Sequence, residues 1–278
     1  MIKDLREKTQ AGLIDCKKAL TECDGDLEKA AEYLRKKGLA AANKRMDRVA
    51  KEGVILTREA DGGKTVYMIQ VNCETDFVAK NEDFKKFATE VLDKAIASGK
   101  ASISKDEALP ADLDEMIKGQ IAKTGENTTF GGFAKITLSK SGMIASYIHS
   151  NNKIGVLVEL TCEPDVSSDE SFKELARDIT MQICAVNPQY IRSDEIPADI
   201  KDKEREIYRE QMKDSGKPAP VVDKIVEGKL SKFYSEVCLL DQEFVKENSK
   251  KIKDLIKERG ASLKSTIAIA KFIRFQIG

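Results

Sequence analysis

Val66-Tyr67-Met68-Ile69-Gln70-Val71-Asn72-Cys73-Glu74-Thr75-Asp76-Phe77-Val78-Ala79-Lys80-Asn81 begins as a strand and ends among residues that start helices. Residues 66–71 are rich in β-branched and aromatic side chains and read with period two. Upstream, 54–57 has the same character, and Asp61-Gly62-Gly63 between the two runs is a hairpin turn. Downstream the period lengthens. Phe84, Phe87, Ala88, Val91, Leu92 and Ala95 fall on one stripe of an amphipathic helix. Residues 53–95 therefore predict a small antiparallel sheet covered by a helix.

A second unit of this kind starts near Ala134, with strands at 135–138, 144–149 and 154–160 and a helix through Phe172, Leu175, Ile179 and Ile183. Cys73-Glu74-Thr75-Asp76 aligns with Cys162-Glu163-Pro164-Asp165 at an offset of 89. Phe84-Lys85-Lys86-Phe87-Ala88 aligns with Phe172-Lys173-Glu174-Leu175-Ala176 at an offset of 88. Two strand-to-helix junctions in register predict an internal duplication and an α+β fold.

Outward from these units the pattern is helical. In the first fifty residues, Leu5, then Leu13, Ile14, Ala19 and Leu20, then Leu27, Ala30, Ala31 and Leu34 predict three short helices. Gly12 and Asp24-Gly25-Asp26 break them, Gly38 is placed as the C-terminal cap of the third, and 40–51 is a helical or flexible linker. Residues 200–212 and the run Val221, Val222, Ile225, Val226, Leu230, Phe233 predict an antiparallel helical hairpin turning at Asp214-Ser215-Gly216-Lys217-Pro218. A helix near 252–259 and an apolar strand at 267–276 close the chain and return it to one of the sheets. The expected divisions are 1–51 (head and linker), 52–133 (first core unit), 134–187 with 238–278 (second core unit), and 188–237 (inserted hairpin).

Composition excludes several function classes. The chain has 278 residues, of which 34% are charged, but 47 basic and 47 acidic side chains cancel. With no net charge there is no global field to hold a polyanion, so direct nucleic-acid binding is not expected. The local basic cluster of Arg35, Lys36, Lys37, Lys44, Arg45, Arg48 and Lys51 reads as a solvated helix end. The six cysteines show no C-x-x-C spacing, and one histidine cannot build a multi-histidine site, so no metal centre and no cofactor are expected. The charged N-terminus lacks an apolar signal core and no window suits a bilayer span, which predicts a reduced, cytoplasmic protein without a membrane role.

The same absence extends to catalysis. His149, at a strand end, has no nucleophile motif beside it. Gly63-Lys64-Thr65 imitates the end of a phosphate-binding loop, but Arg58 stands where the earlier glycine belongs and the run lies between two strands. Nothing points to an enzyme. The unusual feature is the junction itself. Thr75 or Asp76 can cap a short helix, which sets Phe77 in its first turn. Packing of Phe77 onto its own core is the ordinary outcome for phenylalanine. The alternative is an apolar wedge presented on a rigid turn to a partner.

The stretch 72–80 resembles the hallmark of the translation elongation factor Ts family, as does the N-terminal Leu5-Arg6-Glu7-Lys8-Thr9-Gln10-Ala11-Gly12-Leu13-Ile14-Asp15-Cys16-Lys17-Lys18-Ala19-Leu20. Gly125-Glu126-Asn127, Tyr147-Ile148-His149, Ile154-Gly155-Val156-Leu157-Val158, Ser215-Gly216-Lys217-Pro218, Glu227-Gly228-Lys229 and Phe272-Ile273-Arg274-Phe275 follow in family order. The resemblance implies a head similar to a ubiquitin-associated domain, a two-part core and an inserted helical hairpin. It implies guanine-nucleotide exchange on elongation factor Tu, in its GDP-bound and nucleotide-free states, with a homodimer left open. Thr75, Asp76, Phe77 and Val78 then form a turn that intrudes near the magnesium site of that GTPase. His149 meets its distal part, and Leu5, Leu13 and Ile14 are exposed apolar positions that grip its nucleotide-binding domain. A non-catalytic adaptor that binds a GTPase without exchange is the competing reading. Gly131-Gly132 depart from the arginine pair of many relatives, and the chain stops soon after 272–275, where relatives often continue into another helix.

Overall fold

Alternation along the strands decides how the layers stack. The computed structural model describes residues 1–9, 11–150, 152–213 and 215–278, apart from the side chains of residues 39, 41 and 43. Helices α1 (Ile2–Thr9), α2 (Leu13–Glu22) and α3 (Leu27–Asn43) form the head. The first core unit comprises β1 (Glu52–Ala60), β2 (Thr65–Cys73), α4 (Asp76–Lys80), α5 (Glu82–Ala97), β3 (Ser102–Ser104), α6 (Ala111–Thr124) and β4 (Thr128–Thr137). The second has β5 (Gly142–Ile148), β6 (Ile154–Thr161) and α7 (Glu170–Val186). After it come α8 (Ala198–Glu210), α9 (Ala219–Val237), β7 (Glu243–Phe244), β8 (Glu247–Lys251), α10 (Ile252–Leu263) and β9 (Ala268–Gln276).

The first sheet has the order β1-β2-β4-β3 and the second β5-β6-β9, all antiparallel. In β2, Ile69, Val71 and Cys73 face α5 and α6, while Val66 and Met68 face the second sheet. In β6, Val156, Val158 and Leu160 face α7 and α10, while Leu157 faces the first sheet. The molecule is thus helix, sheet, sheet, helix. The central strands β2 and β6 are thereby buried on both faces, which explains their near-continuous apolar runs.

The duplication is visible in the backbone. Both sheets carry a bulge in the central strand's pairing with its third strand, between Gln70 and Val71 in one and Glu159 and Leu160 in the other. Gly53 and Gly142 begin the outer strands at φ 148° and 153°. A Cβ there would meet the carbonyl oxygens of Val71 and Leu160 at 2.2 and 2.0 Å, so only glycine fits either copy. Buried Gln70 and Glu159 are equivalent and each reaches beyond its own pairing. Gln70 Nε2 donates to the Gln276 carbonyl of β9 at 3.2 Å, and Glu159 Oε1 accepts from the Ser139 N–H and hydroxyl at 2.6 Å.

Several expectations are corrected. The strand expected at 135–138 in the second unit is the end of β4, which pairs with β2, so the division at 133/134 falls inside a strand of the first sheet. Gly38 does not cap α3, which runs on to Asn43. Its Cβ position lies 2.8 Å from the Ala122 Cβ, so glycine here admits α6 against the head. In α8 and α9, Arg205 pairs with Glu227 and Arg209 with Asp223, an order that sets the helices antiparallel. Asp214 of the expected turn lies outside the described residues.

Candidate functional site

The junction 72–81 is held from three sides. Cys73 ends β2 inside the core, and its Sγ donates to the Thr75 carbonyl at 3.2 Å. Burial pushes this thiol up to about 12, with the Glu126 and Glu52 carboxylates adding to the effect, so it is an inert structural group. Thr75 is the N-cap of α4, and its Oγ1 accepts from the Val78 N–H at 3.3 Å. The Glu126 carboxylate accepts from the Thr75 hydroxyl at 2.7 Å and from its main-chain N–H at 3.1 Å. Glu74 accepts from the Asn127 N–H at 2.5 Å and lies 3.5 Å from the Arg48 guanidinium.

On this platform the side chains of α4 divide. Val78 is half-buried against the first core and Ala79 is buried. Asp76 binds Lys80 at 2.6 Å, and this hydrogen bond lowers its carboxyl below the usual range. Phe77 points away from the core and is 83% exposed. Leaving a phenyl ring in water forfeits ~2 kcal/mol of transfer free energy. A large apolar group in that position has the form of a docking anchor.

The other expected site residues lie elsewhere. Leu13 and Ile14, in the first turn of α2, are 60% and 82% exposed. Leu5 is not exposed. It is fully buried with Cys16, Ala19, Leu20, Ala30 and Leu34. Helix α1 has only Ile2 and Leu5 as apolar side chains, and the head's small core takes both. Leu5 is therefore a packing residue. His149 follows β5 in the turn to β6, where its N–H donates to the Ile154 carbonyl at 2.9 Å. It is half-buried, with Nδ1 3.1 Å from the Tyr147 hydroxyl.

The junction brings Thr75, Asp76, Phe77 and Val78 together, whereas Leu13 and Ile14 stand on the head and His149 on the second sheet. Sequence reasoning missed Glu74, Glu126 and Asn127 as the residues that hold the junction. The signals for them were the stretch 72–80, which contains Glu74, and the motif Gly125-Glu126-Asn127. The basic cluster is largely neutralised: Arg35 pairs with Glu115, Lys36 with Glu32, Lys37 with Asp15 and Arg48 with Glu74.

The glycine pair also has a packing context. Gly131 is the bulged residue opposite Gln70 and Val71, and a Cβ on it would lie 2.5 Å from the Gln70 side chain. Gln70 occupies that space and reaches β9. Among the described residues no group of His, Cys, Asp and Glu is placed to hold a metal ion. No helix among them is long and apolar enough to cross a membrane.

A family model described as "Elongation factor TS" matches residues 74–278. The elongation factor Ts of Clostridium novyi (strain NT) is 44% identical over 284 residues, covering 100% of this chain and 92% of the relative. That of Clostridium botulinum (strain Eklund 17B / Type B) is 45% identical over 283 residues, covering 100% and 91%. That of Clostridium perfringens (strain 13 / Type A) is 44% identical over 283 residues with the same coverage.

Proposed function

The chain belongs to the elongation factor Ts family of translation elongation factors, and on that premise we propose that it is a guanine-nucleotide exchange factor for elongation factor Tu. The observation that carries the reading is the Phe77 ring, set in water on the first turn of a capped helix. On this reading the Asp76-Phe77 turn enters the GTPase near its magnesium site. Leu13 and Ile14 engage the nucleotide-binding domain through the head, which is of ubiquitin-associated type, and His149 makes a third contact. The protein works in the cytoplasm and performs no covalent chemistry of its own.

Exchange needs neither acid nor base. A protein that binds the nucleotide-free GTPase more tightly than the loaded form weakens nucleotide binding by the same factor. Each tenfold loss of nucleotide affinity corresponds to ~1.4 kcal/mol of differential binding. One aromatic anchor supplies ~2–4 kcal/mol at a hot spot. Three contact regions together reach the ~4–6 kcal/mol that a thousandfold effect or more requires. Displacing magnesium removes the cation that offsets phosphate charge, and its loss falls directly on nucleotide affinity.

The test is stopped-flow release of a fluorescent GDP from elongation factor Tu with and without this protein. Exchange predicts a release rate that rises with its concentration and then saturates. An adaptor would bind the GTPase and leave that rate unchanged, which would overturn the reading.

A further inference from the structure

Helix α4 has five residues, too few to hold itself in water. Its first turn is fixed from a loop about fifty residues away. A threonine hydroxyl has one proton and two lone pairs. Here the proton goes to Glu126 Oε1, which leaves a lone pair aimed at the Val78 N–H. The second oxygen, Oε2, takes the main-chain N–H of the same threonine. One carboxylate therefore sets both the rotamer and the backbone of the cap. Charge-assisted bonds of this kind are stronger than neutral ones.

Glu126 is itself immobilised. Helix α6 ends at Gly125 in the left-handed conformation, φ 75°, and the Glu126 N–H donates to Thr124 Oγ1 at 3.3 Å. The next residue, Asn127, is buried and donates through Nδ2 to the carbonyls of Met46 and Arg48 at 3.0 and 2.6 Å. Its N–H binds Glu74, directly before the cap. The loop 125–127 thus ties the linker below the head and the start of α4 into one joint.

We infer that Glu126 is a positioning residue for exchange: its two-point grip on Thr75 holds α4 so that Phe77 meets the GTPase already oriented. Without the grip the turn frays, and the ordering cost moves to the binding step. This inference rests on the exchange reading above.

The test pairs kinetics with amide exchange. Glu126→Ala should lower the maximal GDP-release rate about tenfold, the effect of losing a charge-assisted hydrogen-bond pair. Glu126→Gln keeps the volume but leaves one acceptor for two donors, and should fall between alanine and the original. In a Phe77→Ala background, Glu126→Ala should change the rate less than about twofold, because the ring it positions is gone. In the free protein the amides of Thr75, Val78 and Ala79 should exchange with deuterium about tenfold faster in Glu126→Ala, with melting temperature nearly unchanged.

Unchanged amide protection, or an equal rate loss with and without Phe77, would overturn the inference. If Glu126→Ala does not fold, Glu126→Gln is read by the same criteria. Should the unsubstituted protein fail to release GDP, the exchange reading falls and the exchange role of Glu126 falls with it. Amide exchange would still decide whether Glu126 holds the turn.

Discussion

The junction after β2 and the junction after β6 start alike, on Cys73-Glu74 and Cys162-Glu163, and both finish on a side-chain cap. Asn81 caps α5 by accepting from the Asp83 N–H at 2.8 Å, and Asp169 caps α7 by accepting from the Ser171 N–H at 2.7 Å. Between these fixed ends the first copy has one residue more. It winds the α-helical turn Asp76–Lys80, whereas the second makes the three-residue 3-10 turn Pro164–Val166. The longer turn presents Val78 and Ala79 to the core and rotates Phe77 into water. The shorter one buries the equivalent Val166, at 6% exposure, in the second core. A core of this design is complete without an aromatic at that place, so the exposed ring answers to something outside the fold.

Truncating the two equivalent residues should separate stability from exchange. Phe77→Ala is expected to slow GDP release about thirtyfold or more, the loss of a hot spot of at least ~2 kcal/mol. Its melting temperature should move by no more than about 2 °C, since surface truncations are near neutral. Val166→Ala should do the reverse, costing ~2 kcal/mol of stability while the folded fraction exchanges normally. Thermal unfolding and release rates on both variants check the pair. A large stability loss in Phe77→Ala would place its ring in the core after all.

Phe77→Val makes the first junction carry the residue of the second. Valine keeps an apolar group but lacks the ring's area and reach, so the interface should lose ~1–2 kcal/mol, or roughly five- to thirtyfold in release rate. A rate close to the original would show that ring size is irrelevant. The work would then belong to Asp76, His149 or the head.

Much of this fold is legible in the sequence alone. The β1–β2 hairpin, the buried stripe of α5, the pairing of α8 with α9 and the duplicated junctions all follow from local periodicity and turn chemistry. Even the fate of Phe77 left a trace, because the offset between copies drops from 89 to 88 across the junction. What stayed hidden depends on distant partners. The end of β4 has ordinary strand character, and only its pairing with β2 assigns it to the first sheet. Ser102-Ile103-Ser104 is too short to show a period, and β8, Glu-Asn-Ser-Lys-Lys, is too polar to read as a strand. Gly38 looks like a cap because the sequence carries no sign of Ala122 beside it. Leu5 looks like a docking residue until α1 is seen to have only Ile2 besides it to give to the head's core.

The helical pair α8–α9 is a feature of the second copy alone. Helix α8 buries none of its residues, and besides Arg205–Glu227 and Arg209–Asp223, Lys229 reaches Gln211 at 2.5 Å. The N–H groups of Gln189 and Tyr190 both donate to the Val237 carbonyl, so the base of the pair is closed. Removing 201–229 and rejoining the ends with a short linker should leave GDP release within about threefold, a change below ~0.7 kcal/mol. If a well-folded deletion no longer releases GDP, exchange does not reside in the first copy alone.

The smallest expected effect tests whether the aromatic alone makes the site. Val166→Phe gives the second junction the residue of the first, yet it should create no exchange activity. The ring must either enter a filled core, at an overpacking cost of ~1–3 kcal/mol, or swing out from a turn one residue shorter. That turn has Pro164 where the first copy has Thr75, so no hydroxyl is available to be gripped as Glu126 grips it. Pro164 also lacks the N–H that binds the second carboxylate oxygen in the first copy. The decisive measurement is the double variant Phe77→Ala with Val166→Phe. Its release rate should equal that of Phe77→Ala, with a lower melting temperature as the sign that the new ring is accommodated poorly. Recovery of exchange would mean that any exposed phenylalanine beside a sheet can do the work, and that the extra residue and the Thr75–Glu126 grip contribute nothing to it.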